Sequence, residues 1–213
     1  NEKVRKLQPR IIINNRSGLP EDFGTPEQRI QAEQRPWEAC MTITEAWWGY
    51  HRGVKQVKSA VEIIHLLVRC VSQGGNFLLN VGPRADGTIP REYARPLEEA
   101  GRWLEVNGEG VYGCGPAPFW QPHLGVVTLK RRAAYVHIWY WPGTEMVLAG
   151  IKNRVRSVSL LADGRELEYE QKGDRLLGRG LPERAPDKIG TVVKVELRGE
   201  PAGVPVQESG FWR

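Results

Sequence analysis

Between Asn14 and Tyr50 the chain gathers side chains able to work on a polar, hydroxyl-rich ligand. They are the carboxyls of Glu21, Asp22, Glu27 and Glu38, the guanidinium of Arg16, and the rings of Trp47, Trp48 and Tyr50. Carboxyls move protons, a guanidinium fork holds a carboxylate or ring oxygen without losing charge, and indoles offer flat apolar faces to sugar C–H groups. That mixture is what a carbohydrate site requires. Residue type alone leaves each role open. Glu27 reads as a solvated loop carboxylate, with Glu21 and Asp22 as rivals in the same loop, and Glu38 as a structural group at a strand start. Arg16 reads equally as an exposed arginine behind a strand. The Trp47-Trp48 pair reads as core packing, or as one core ring and one ring facing a ligand.

The elements that must hold these residues are legible from punctuation and periodicity. Lys3 to Gln8 suits a helix stopped by Pro9, and Arg10-Ile11-Ile12-Ile13-Asn14 is a short apolar run suited to a strand buried on both faces. Residues 17–36, rich in Gly, Pro, Glu and Gln, read as one long loop, the kind that carries function on a rigid scaffold. Trp37 to Ile43 and Asn76 to Val81 are two more buried strands. Lys58 to Gln73 is a helix with an apolar stripe of Val61, Ile64, Leu67, Val68 and Val71, stopped by Gly74-Gly75. Pro90 opens a second helix, in which Leu97, Ala100, Trp103 and Leu104 share a face before Gly108. This is α/β order, expected over residues 1–115.

After the Gly/Pro-rich stretch Gly113 to Pro122 the pattern changes to short alternating runs, from Val126 to Lys130 through Thr191 to Leu197, separated by turns such as Asp163-Gly164 and Lys172-Gly173-Asp174. Alternation with regular turns predicts an antiparallel β-sandwich over 116–213, with Trp139, Tyr140 and Trp141 packing its core.

Composition excludes several classes. No apolar run is long enough for a transmembrane helix, and the N-terminus has neither an initiator Met nor the apolar core of a signal peptide, as expected of a fragment or processed product. The net charge of +5 is spread along the chain, Lys130-Arg131-Arg132 being the one tight cluster, so neither nucleic acid nor a membrane is the expected partner. Cys40, Cys70 and Cys114 are odd in number and far apart, which predicts buried free thiols and a reducing compartment such as a prokaryotic cytoplasm. His51, His65, His123 and His137 have no ligand spacing, so no metal and no cofactor are expected.

The segments NNR, DFGTPEQ, WEACMTI, WWGY, VSQGGNFLLNVGPRADGTIP and GRWLEVNGEGVYG, in this order, resemble the α-L-fucosidases of glycoside hydrolase family 29 over most of residues 1–112. The later HIWYWP and LLADGRELEYEQKGD resemble the family's C-terminal β-sandwich. The resemblance implies the second half of a (β/α)8-like barrel followed by that sandwich. It also implies a retaining hydrolase in which an Asp forms a glycosyl-enzyme intermediate while a Glu acts as acid and then base, the two carboxyls about 5–5.5 Å apart. Residue by residue, Glu27 takes the acid/base role, Arg16 that of the arginine reaching the sugar, and Trp48 the position against the C6 methyl of fucose. The family's nucleophile lies in a Trp-x-Asp motif upstream of the segment matching Asn1 to Asn15. Asp86, the most tempting substitute, sits in an Asp-Gly that reads as a turn.

Two functions follow from the resemblance. One is hydrolysis of a fucosylated oligosaccharide or glycoconjugate, with a homo-oligomer or partner chain completing the barrel because four open strands leave unpaired edges. The other is a non-catalytic remnant serving as a carbohydrate-binding or assembly module. A nucleic-acid surface ranks behind both, since basic and aromatic residues share no stripe.

Overall fold

The computed structural model describes residues 1–45 and 47–204. Its first half carries a short helix α1 (Glu2–Leu7), strand β1 (Glu38–Thr42), helix α2 (Ala60–Ser72), strand β2 (Asn76–Asn80) and helix α3 (Arg91–Asn107). Helix α2 begins where Ser59 and Glu62 form a reciprocal capping box, and it ends at Gly74, whose φ of 79° a side chain would resist. Pro90 stands just ahead of α3. Strands β1 and β2 pair in parallel, Glu38 opposite Asn76 and Thr42 opposite Asn80, with α2 as their crossover.

Two further extended segments continue this sheet outward. Gly24 N donates to Pro36 O, Glu38 N to Gly24 O, Cys40 N to Pro26 O and Gln28 N to Cys40 O, so residues 24–28 run parallel beside β1. Beyond them, Asn14 bridges Phe23, with Asn15 N donating to Phe23 O and Asp22 N to Ile13 O. The stretch 17–36 is therefore not one loop: it contains a strand-like segment hidden by Gly24, Thr25 and Pro26, which are buried but carry no hydrophobic pattern.

Two strand expectations need correction on burial. Ile12 is 73% exposed, and Ile11 and Ile13 are only partly covered, because this outermost segment pairs on one side and nothing described packs over it. In β2, Phe77 and Leu79 pack with Trp37, Ala39, Met41 and Cys70, while Asn76 and Leu78 point to the open face, Leu78 being 39% exposed. Both runs are apolar enough to be buried twice over, but only one face of β2 is covered. At its start Gly75 lies against the ring of Trp37, where a Cβ would come within 2.3 Å of the indole.

The second half forms strands β3 (Gly115–Pro116), β4 (Gly125–Lys130), β5 (Ala133–Ile138), β6 (Glu145–Leu148), β7 (Val155–Leu160), β8 (Glu168–Lys172), β9 (Arg175–Arg179) and β10 (Thr191–Leu197). They build a five-stranded sheet, β3-β4-β5-β10-β7, and a three-stranded sheet, β6-β9-β8, both antiparallel. The two sheets share one core, in which Val136, Ile138, Val158, Val193 and Val195 meet Met146, Leu148 and Leu176. On the other face of the five-stranded sheet Tyr135 and Val192 join Ile64 and Val68 of α2 and Tyr93 and Trp103 of α3 in a second core. Strand β5 is thus buried on both faces. Trp141 packs against the core between the two sheets as expected, Trp139 packs instead against the helix-facing core, and Tyr140 between them points out and is exposed.

Cys40 and Cys70 are buried free thiols and Cys114 is half-buried, a partial departure from the expectation. Among the described residues no helix is long and apolar enough to cross a membrane, and no cluster of His, Cys, Asp or Glu could hold a metal ion.

Candidate active site

All four parallel segments run the same way, so their C-terminal ends share one rim, where open α/β sheets place their ligands. The first segment delivers Arg16. Asn14 caps the short 3-10 turn Asn15–Ser17 by accepting from Arg16 N at 3.1 Å, and Gly18 closes it at φ 83°. The second segment delivers Glu27. Asn15 Oδ1 fastens the two together, accepting from Thr25 N at 3.1 Å and from Thr25 Oγ1 at 2.8 Å. Arg16 Nε in turn donates to Thr25 Oγ1 at 2.9 Å, which aims the guanidinium along the strand, and its Nη1 donates to Glu27 Oε1. The carboxyl of Glu27 raises the pKa of Arg16 further.

Arg16 and Glu27 thus form an ion pair, with side chains 46% and 41% exposed. An exposed pair of this kind is worth little to stability. Gln28, next in sequence, donates from Nε2 to Thr42 Oγ1 at 2.9 Å and pins the segment to the end of β1.

The third contribution is the loop after β1. Its base is closed by the bridge between Thr44 and Val57, and by Lys58 Nζ, which donates to Thr42 O at 2.7 Å and Thr44 O at 3.0 Å. Burial lowers the pKa of Lys58. Trp47 N donates to Thr44 Oγ1 at 3.2 Å, and the Trp47 ring stacks on His51 with centroids 4.6 Å apart. Neither indole is core: Trp47 is 52% and Trp48 39% exposed. The expectation of one buried ring fails: Trp47 finds its contact in the His51 ring and stays at the surface. Tyr50 lies under the guanidinium of Arg84, 5.8 Å from its ring centre. Gly82, at the end of β2, lets the loop approach: a Cβ there would meet Gly49 C and Tyr50 N at 2.5 Å.

The rival carboxylates are occupied elsewhere. Glu21 accepts from Arg5 at 2.7 Å, and Asp22 accepts from Arg5 at 3.0 Å and from Ile13 N at 2.7 Å. Hydrogen bonds hold both below the usual carboxylate range, Asn1 contributing most for Glu21 and Ile13 N most for Asp22. Asp86 accepts from Thr88 N at 3.0 Å and Thr88 Oγ1 at 2.7 Å, the turn that Asp-Gly predicts. Glu38 starts β1 and is half-buried. Sequence reasoning gives no role to Asn15, Thr25 or Lys58, although Asn15 stands in the NNR segment and Thr25 in DFGTPEQ.

The α-L-fucosidase family model matches residues 1–109. Tissue α-L-fucosidase of Homo sapiens is 33% identical over 198 residues, covering 86% of this chain and 42% of that protein. α-L-Fucosidase isoenzyme 1 from Paenibacillus thiaminolyticus matches in structure with a TM-score of 0.85 and 35% identity, over 93% of this chain and 52% of the other. A glycoside hydrolase family 29 α-L-fucosidase from Bacteroides thetaiotaomicron, captured as a trapped covalent intermediate, matches with a TM-score of 0.81 and 27% identity, over 93% of this chain and 51% of that one. The chain spans about half of these solved chains and 42% of the human protein.

Proposed function

We propose that this chain, which belongs to the α-L-fucosidase family, carries the acid/base half of a retaining hydrolase that releases terminal α-L-fucose from oligosaccharides or glycoconjugates. The parallel segments with α2 and α3 are read as the second half of a (β/α)8-like barrel over residues 1–115, and the two antiparallel sheets as a β-sandwich domain over 116–213. The observation that carries the reading is the meeting of Arg16 and Glu27 at the C-terminal rim, on a hydrogen-bonded scaffold and beside a loop bearing exposed indoles.

In this mechanism Glu27 protonates the leaving oxygen and then takes a proton from the attacking water. A carboxyl tied to Arg16 and 41% exposed has first to be released and covered. Arg16 is placed to turn from Glu27 to a sugar or carboxylate oxygen, and Trp48 to pack on the C6 methyl of fucose. The second carboxyl that retention requires is assigned to a segment beyond the described residues, in a partner chain, a second copy or another part of the same polypeptide. That segment would also cover the open edge at Ile12 and the open face at Leu78. Neither metal nor cofactor has a part in this scheme.

The test is release of nitrophenol from its α-L-fucoside by the purified chain, wild type beside Glu27→Gln and Glu27→Ala. The reading expects a loss of roughly 10²–10⁴ in rate for either variant, with azide restoring turnover to Glu27→Ala. Unchanged activity in Glu27→Gln removes Glu27 from the mechanism. A second reading, a non-catalytic fucose-binding module, draws support from the structural engagement of Glu21, Asp22 and Asp86. It predicts calorimetric fucose binding by a folded chain without turnover.

A further inference from the structure

The net positive charge of this chain looks scattered along the sequence, with only Lys130, Arg131 and Arg132 adjacent. Folding concentrates it. The turn between β4 and β5 carries Arg131 and Arg132, β7 contributes Arg156, β10 contributes Lys194, and Arg198 follows β10; with Lys130 they line one open groove of about 800 Å³. The register explains the convergence. Lys194 stands opposite Tyr135 in β5, Leu197 N donates to Arg132 O at 2.8 Å, and Arg198 N donates to Arg154 O at 2.9 Å, so the turn and the end of β10 are laced together.

Only part of this charge is balanced. Lys194 is held by Glu109 at 2.8 Å and Glu196 at 3.6 Å, Arg156 reaches Glu196 at 4.0 Å, and Arg132 reaches Glu200 at 3.7 Å. Among the described residues Arg131 and Arg198 make no ion pair, and Lys130 donates only to Tyr112 O at 2.8 Å. Six cations against Glu109 and Glu196 leave the lining strongly positive. Arg131 also sits at φ 54°, left-handed backbone that glycine or asparagine would adopt with less strain.

We propose that this groove binds an oligosaccharide carrying sulfate or phosphate ester groups. Guanidinium forks match oxyanions bidentately, and Glu109 and Glu196, interleaved with the cations, offer acceptors for sugar hydroxyls that a continuous phosphate backbone would find repulsive. The volume suits a short ligand, well below the footprint of a duplex. Tyr135, the one aromatic residue in the lining, is buried with its hydroxyl donated to Glu109 at 2.7 Å, so the groove has no platform for stacking bases. The groove binds on its own residues, whatever the fate of Glu27 as a catalyst.

The experiment is calorimetric titration of the purified chain with a sulfated hexasaccharide, a phosphorylated one, the unmodified hexasaccharide, and a single-stranded oligonucleotide of equal charge, at several salt concentrations. Binding of either ester-bearing sugar, but not of the unmodified one, supports the proposal, and the tighter of the two identifies the ester. The double variant Arg131→Gln/Arg198→Gln is expected to weaken this binding about tenfold or more and to flatten its log-salt slope by about one to two, as two fewer neutralising cations require. Arg131→Gly is expected to bind more weakly while its melting temperature holds or rises, an outcome a structural role for Arg131 would reverse. Neutralising Arg95 and Arg184, outside the groove, is expected to change binding little. The proposal is overturned if no ester-bearing sugar binds at low salt, if the control pair weakens binding as much, or if the oligonucleotide binds more tightly than the sugars.

Discussion

His137 makes the stability of this protein sensitive to mild acid. The ring lies in β5, fully buried between the sheet and the helices, with Nε2 placed 3.0 Å from Thr128 Oγ1 and 3.2 Å from Gly110 O, and with Trp103 tilted 6.2 Å away. Its Nδ1 is buried without a partner among the described residues. Burial is the main cause that pushes its pKa down to about 4; the Gly110 carbonyl opposes the shift and nearby His65 adds to it. In the unfolded chain a histidine titrates near 6.5. Above about pH 6.5 both states are neutral and His137 adds no pH dependence; between about 6.5 and 4 only the unfolded chain takes up the proton, so stability falls with pH. The loss amounts to about 2 kcal/mol by about pH 5, and to on the order of 3 kcal/mol as the folded pKa is approached. Urea unfolding followed by tryptophan fluorescence, at steps from about pH 7.5 down to about 5, measures it against His137→Gln. His65, whose pKa burial also lowers, acts in the same window and is common to both proteins, so the difference between the two curves isolates His137. Curves that stay parallel over the whole range would refute the assignment.

Three further outcomes follow from the candidate site. Gly82→Ala drives a Cβ into the backbone of Gly49 and Tyr50, so the Trp47–Trp48 loop shifts. Steady-state kinetics on a fucoside are expected to show KM rising more than kcat falls, and unchanged kinetics would mean the loop absorbs the clash. Lys58→Met strands the carbonyl of Thr42 and leaves that of Thr44 with the Thr42 hydroxyl, 2.7 Å away, as its remaining donor, at a cost of about 1–3 kcal/mol by denaturant titration. It is also expected to speed proteolytic nicking between residues 45 and 56; a loop cut no faster would show that the Thr44–Val57 bridge alone closes its base. Trp48→Ala is expected to weaken fucose binding by about 1–2 kcal/mol in calorimetry while leaving the melting temperature nearly unchanged, since the ring is exposed. Equal affinity would take Trp48 out of the binding site.

Strands of the second half were legible because alternation and turn residues repeat there without interference: Thr191–Leu197 matches its expected bounds, and the run expected from Val126 to Lys130 starts one residue earlier, at Gly125. Ser59 and Gly74 bracket α2 in the same local way. What the sequence hid was non-local. Residues 24–28 look like loop because their strand character resides in backbone hydrogen bonds to β1, and side-chain periodicity records nothing of it. The Ile11-Ile12-Ile13 run gives hydrophobicity but not who covers it. At the site, the family resemblance singled out Arg16 and Glu27, which do meet, but not Thr25 and Asn15, whose short polar side chains look like any turn and yet set the aim of the guanidinium. Trp47 showed the reverse error, a large apolar ring that stays at the surface on His51.

The second core has a practical consequence for anyone who would cut this protein in two. Tyr135 and Val192 belong to the antiparallel sheet, yet they are covered by Ile64, Val68, Tyr93 and Trp103 from the helices. Trp103 Nε1 donates to Gly190 O at 2.8 Å, and His65 Nε2 lies 2.8 Å from Ile189 O, so the seam is stitched with polar contacts as well. A gene split near Gly115 would therefore yield two products with complementary sticky faces. Each is expected to go to inclusion bodies when expressed alone, and the pair to reassociate when refolded together.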